Sequence, residues 1–123
     1  NYKKKQPNEG CAMDFQEIRN ALKGISFKTV RKDLEGELEA VVIKEEAGRL
    51  GEKLEKFFGA PVWPAQGKLS SLITAAIEEY GGIMQGQTLY FWNSGSESVF
   101  AMLWPWSDGR HITLKLIKKA AKT

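Results

Sequence analysis

An α+β domain built on a single antiparallel sheet, with elements in the order αββααβββ, is the fold class this chain predicts. Three observations carry it. Two runs rich in aromatic and β-branched residues, Gln87–Asn93 and Ser98–Trp104, flank a short polar segment; Asp108-Gly109 is a turn signal leading into a third such run; and 45–58 and 69–80 show helical spacing.

The C-terminal three strands form a meander. Ser94-Gly95-Ser96-Glu97 reads as a four-residue hairpin loop. Within Ser107-Asp108-Gly109-Arg110, the Asp-Gly pair suits a two-residue type I′ turn, since both residues tolerate positive φ. These loop lengths set Phe91 opposite Phe100, Leu89 opposite Met102, Trp104 opposite Thr113 and Trp106 opposite His111, on one face. Because side chains alternate with period two, Tyr90, Trp92, Val99, Ala101, Leu103, Ile112, Leu114 and Leu116 share the other face, which is almost wholly apolar. A slip of one residue in either loop exchanges the faces. Pro105 cannot donate to a ladder and suits an edge or a bulge.

Upstream, residues 1–12 are polar and without period, and are expected to be a disordered arm; one domain is expected over 13–119, with a flexible tail at 120–123. Asp14 is placed to cap a short first helix, with Glu17 completing a capping box, Met13 and Ile18 forming a hydrophobic staple, and Gly24 at its end. Alternation over 25–31, the β-branched Val41-Val42-Ile43 and Gly36 between them predict an N-terminal hairpin; Gly36, Gly48 and Gly51 count against one long helix here. The helix over 45–58 turns Ala47, Leu50, Leu54, Phe57 and Phe58 inward, with Glu45–Arg49 and Glu52–Lys56 as i,i+4 pairs outside, and stops at Gly59. Trp63, between Pro61 and Pro64, is expected to pin the following loop to the body. The next helix buries Leu69, Leu72, Ile73, Ala76, Ile77 and Tyr80 and closes at Gly81-Gly82. This layout resembles that of PAS-like and profilin-like domains, a likeness of arrangement without a shared motif, and fold alone fixes no function.

At 123 residues with 42% hydrophobic content, the chain can bury an ordinary core without disulfide or metal. The single Cys11 cannot form an internal disulfide and, as a free thiol, favours a reducing compartment; no run approaches a membrane span, and the Lys-rich start lacks an apolar signal core, so a soluble, cytoplasmic protein is expected. The net charge of +3 comes from the ends, the arm carrying +2 and the tail +3 around a body of −2. That distribution argues against a folded nucleic-acid footprint.

Candidate chemistry is sparse. His111 is the only histidine, and a catalytic or metal site needs several converging groups, so no metal and no cofactor are expected. Cys11, on an arm expected to be disordered, would have nothing to hold it against His111 or to lower its pKa. Glu35, Glu37 and Glu39 alternate as a solvated strand side, Glu78 and Glu79 diverge on their helix, and Gly67-Lys68-Leu69-Ser70 lacks the glycine and hydroxyl of a phosphate loop.

The feature that remains is the mixed face, where Phe91, Phe100, Met102, Trp104 and Trp106 offer contact area and His111 and Lys115 polar handles. The expected function is a small binding module that uses this face for a partner subunit, including a second copy in a homodimer, a peptide or a small ligand. The alternative is that a helix covers it as a second core layer. A single-strand nucleic-acid binder stacking bases on the aromatics and a small enzyme using His111 with Asp108 and Arg110 are the other functions the residues allow.

Overall fold

A computed structural model describes residues 14–64, 68–94 and 96–120. The expected staple residue Met13, the thiol of Cys11 and the arm lie outside these residues. The sheet has five antiparallel strands, β1 (Phe27–Leu34), β2 (Glu37–Ile43), β3 (Thr88–Asn93), β4 (Glu97–Pro105) and β5 (His111–Ala120), in the order β1-β2-β5-β4-β3. With helices α1 (Phe15–Ala21), α2 (Ala47–Phe58) and α3 (Ser71–Glu78), the elements follow the predicted order.

Local chemistry sets each element. Asp14 accepts from the backbone N–H groups of Gln16 and Glu17, satisfying two donors that the first turn of α1 leaves open. After a 3-10 turn over Leu22–Gly24, the chain enters β1, and Gly36 makes the tight return to β2. At that turn the carbonyl of Gly36 accepts from Lys118 N–H, and a Cβ on Gly36 would lie 3.1 Å from Lys118 O, so the close approach to β5 favours glycine. β1 carries bulges between Phe27 and Thr29 and between Val30 and Lys32, which break up its unpaired outer edge. Helix α2 follows the 3-10 turn Lys44–Glu46 and ends at Gly59, whose φ of 77° is costly for any residue with a Cβ. Arg49 pairs with Glu46, not Glu45, as its other nitrogen donates to Gly24 O at the end of the Leu22–Gly24 turn.

The apolar face predicted from alternation is the main core. Helix α1, the 3-10 turn after it and α2 lay Phe15, Ile18, Leu22, Leu50, Leu54 and Phe58 against Leu38 and Val42 of β2, Tyr90 and Trp92 of β3, Val99 and Ala101 of β4, and Leu114 and Leu116 of β5. Tyr90 is the polar exception, its hydroxyl donating to Glu55 at 3.4 Å. Burial, followed by the Glu55 charge, pushes the Tyr90 phenol up to about 12. A pKa raised on folding disfavours the phenolate in the native state, so its contribution is complete below pH 10 and is lost as pH rises toward 12. Wild-type protein is therefore expected to lose denaturant resistance across that alkaline window, and Tyr90→Phe to lose less; equal losses would show that Tyr90 does not set this dependence.

Candidate functional site

Register places the mixed face as alternation predicts. Phe91 pairs with Phe100, Leu89 with Met102 and Trp104 with Thr113, and Trp106 N–H donates to His111 O at 2.8 Å. The second turn is nevertheless not type I′. Gly109 has φ +71°, but among the described residues no non-glycine residue has positive φ, so Asp108 keeps ordinary backbone angles. The loop spans Ser107 to Arg110, and Asp108 Oδ1 accepts from the N–H groups of Arg110 and His111 at 2.8 and 3.2 Å. Side-chain capping replaces the second positive φ and preserves the register.

The face divides into two parts. Over β3 and β4, α3 places Ala76 and Ile77 on Leu89, Phe100, Met102 and Ile117, with Trp63, Ile73, Tyr80 and Phe91 packed around them. Phe100 and Met102 are fully buried. Phe100 stacks on Phe91 and meets Tyr80 edge-on, both at 5.7 Å between ring centres. Lys119 secures the end of α3 by donating to Ala76 O and Glu79 Oε1 and lying over the Tyr80 ring. Trp63 pins its loop as expected, bridging to Leu89 through the backbone and donating its indole N–H to Met84 O. Leu72 departs from expectation: it is 51% exposed, because α3 spans only 71–78 and turns Ala76 and Ile77 to the sheet. A cleft of about 640 Å³ lies beside α3, lined by Trp63, Leu69, Ile77 and Ile83, with Lys68 and Glu78 at its margin.

The second part lies toward the β4–β5 turn, where the cluster under α3 stops at Trp104 and Ile117. Here side chains of the sheet cover one another. Trp106 donates its indole N–H to Thr113 Oγ1 at 2.8 Å and lies 4.7 Å from the His111 ring. The Arg31 guanidinium sits 5.6 Å from the Trp106 ring centre, and Lys115 Nζ 4.2 Å from that of Trp104. Both cations reach Glu39, at 3.5 and 4.0 Å. Each cation thus has an aromatic face on one side and a shared carboxylate on the other. Trp104 carries a buried indole N–H with no partner among the described residues, an unmet donor at the border between the two parts.

His111 Nδ1 is 2.7 Å from Asp108 Oδ2. An ionised carboxylate only accepts, so Nδ1 carries the proton and Nε2 of the neutral ring keeps its lone pair. The Asp108 carboxyl is held below its usual range, first by the Arg110 backbone N–H and then by His111. Among the described residues no hydroxyl or thiol hydrogen-bonds to His111, and no group of three or more His, Cys, Asp or Glu could hold a metal ion.

Of the seven face residues expected from sequence, the structure brings Trp106, His111 and Lys115 to the corner, places Phe91, Phe100 and Met102 with the α3 layer, and sets Trp104 at the border, packed against that layer and in contact with Lys115. Arg31 and Glu39 are the residues that sequence reasoning missed. Glu39 is not simply solvated, its side chain being 13% exposed between two cations. Its alternation with Val41 put it on one face, but only the pairing of β2 with β5, Glu39 opposite Lys115, shows which face. Among the described residues no helix is long and apolar enough to cross a membrane. No protein-family model, curated protein or solved structure matches the chain.

Proposed function

We propose that this chain is a small interaction module that contacts its partner through the corner formed by Arg31, Glu39, Trp104, Trp106, His111 and Lys115. One observation carries this reading. Trp106 is 37% exposed yet held by Thr113, His111 and Arg31, outside the cluster that α3 covers. An aromatic fixed before contact loses little entropy on binding, and Trp and Arg dominate the energetics of protein contacts. Glu39 and Asp108, interleaved with the cations, disfavour a groove tracking a phosphate backbone. The His111–Asp108 pair has the geometry of an oriented base but faces no nucleophile among the described residues, which favours contact over catalysis.

Native mass spectrometry of freshly purified protein tests this. A dimer, or extra ligand mass, should fall at least tenfold in Trp106→Ala and in Arg31→Ala and persist in Leu72→Ala, which alters an exposed apolar residue on α3. Retention of that mass in all three variants would place the contact elsewhere, and a bare wild-type monomer would remove the dimer and copurified-ligand forms of the reading.

A further inference from the structure

We propose that His111, with Asp108 and Trp106, is a pH-responsive element of this corner. Histidine ordinarily changes charge between pH 5 and 8, and His111 is the only histidine in the chain. Its surroundings give that charge a structural outlet. From the turn before β5, Asp108 meets Nδ1 at 2.7 Å and Arg110 flanks the ring in sequence; from the end of β4, the Trp106 indole lies 4.7 Å away. From β2, the cross-strand partner is the uncharged Ile43, and the next residue, Lys44, donates its backbone N–H to Arg110 O. From β1, Arg31 lies over the same indole that His111 approaches, and Glu39 and Lys115 complete the charged groups of the corner.

Protonating the imidazole puts a second cation on an indole that already carries one. Both centroid distances fall within the roughly 6 Å reach of such contacts. The imidazolium lies between the Asp108 carboxylate and the indole and repels the other cation on that ring, which loosens Arg31 and leaves it Glu39 as its carboxylate partner. The corner gains one positive charge and presents a more mobile guanidinium. This rests on the corner being the contact face only for its consequence, namely that a partner would bind differently above and below the transition. The transition itself belongs to the free protein.

The test is an NMR titration of the full chain from pH 4.5 to 8.5, following the imidazole Cε1–H and the Trp106 indole N–H, the latter assigned by its loss in Trp106→Phe. The expected result is a one-proton transition with a common midpoint for both signals, absent from the indole in His111→Gln. An indole signal that stays flat while the imidazole titrates, or an unchanged indole transition in His111→Gln, would overturn the proposal. Should His111→Gln not fold, agreement or disagreement of the two wild-type midpoints decides. A flat titration removes the switch and leaves the contact face standing; the mass measurement on Trp106→Ala tests that face separately.

Discussion

Replacing Phe100 with alanine is expected to destabilise the protein by about 3–5 kcal/mol, the usual cost of emptying a buried phenylalanine site. Phe100 is fully buried between Phe91 and Tyr80, and the sheet beneath it cannot collapse to fill the void, since Val99 and Ala101 on either side point into the opposite core. Trp106→Ala should instead cost only about 1–2 kcal/mol, for the lost hydrogen bond to Thr113 and partial exposure of its neighbours. Urea unfolding of the two variants measures both. This contrast separates covered from exposed aromatics on one face of one sheet. A small loss in Phe100→Ala would mean that α3 does not pack on the sheet, and the distinction between the two parts of the face would fail.

Arg19→Met should destabilise by about 2–3 kcal/mol, although arginine and methionine occupy similar volumes. Arg19 leaves α1 to donate to the carbonyl oxygens of Leu34 and Glu37, pairs with Asp33 at 2.8 Å and lies over Phe15 at 5.2 Å. One guanidinium thus ties the first helix to the β1–β2 turn. Asp33 is 66% exposed and the Leu34 carbonyl lies at an exposed site, so both can turn to water, and the loss comes chiefly from the part-buried Glu37 carbonyl and from the guanidinium's contact with Phe15. Asp33→Ala should accordingly cost less than about 1 kcal/mol, as exposed ion pairs generally do. Parity between the two variants in thermal unfolding would show that the ion pair, not the carbonyl contacts, holds the turn.

The order of elements, the aliphatic core and the register of the aromatic strands were legible because they rest on short-range rules. Period-two alternation assigned Tyr90, Trp92, Val99, Ala101, Leu114 and Leu116 to one face, where α1 and α2 cover them. The register survived even though the 107–110 turn took another form. What it required was Trp106 opposite His111, and Asp108 achieves this through its side chain, without a positive φ of its own.

Burial across the mixed face was not legible. Phe91, Phe100, Met102, Trp104 and Trp106 have similar spacing and composition, yet Phe100 is fully covered and Trp106 is open. Nothing in the strands records which of them α3 will meet. That depends on where the loop through Trp63 attaches to Leu89 and where Lys119 captures the end of the helix, contacts made between residues far apart in the chain.

By itself, the sequence determined the α+β class, the registers of the three C-terminal strands and the division of their sheet into an apolar and a mixed face, since alternation, caps and turn residues act within a few positions. Only the tertiary structure decided that the mixed face is half core and half open corner, and that Arg31 and Glu39 belong to that corner. The pairing of β2 with β5 and the docking of α3 are long-range choices, settled by which surfaces bury the most apolar area together.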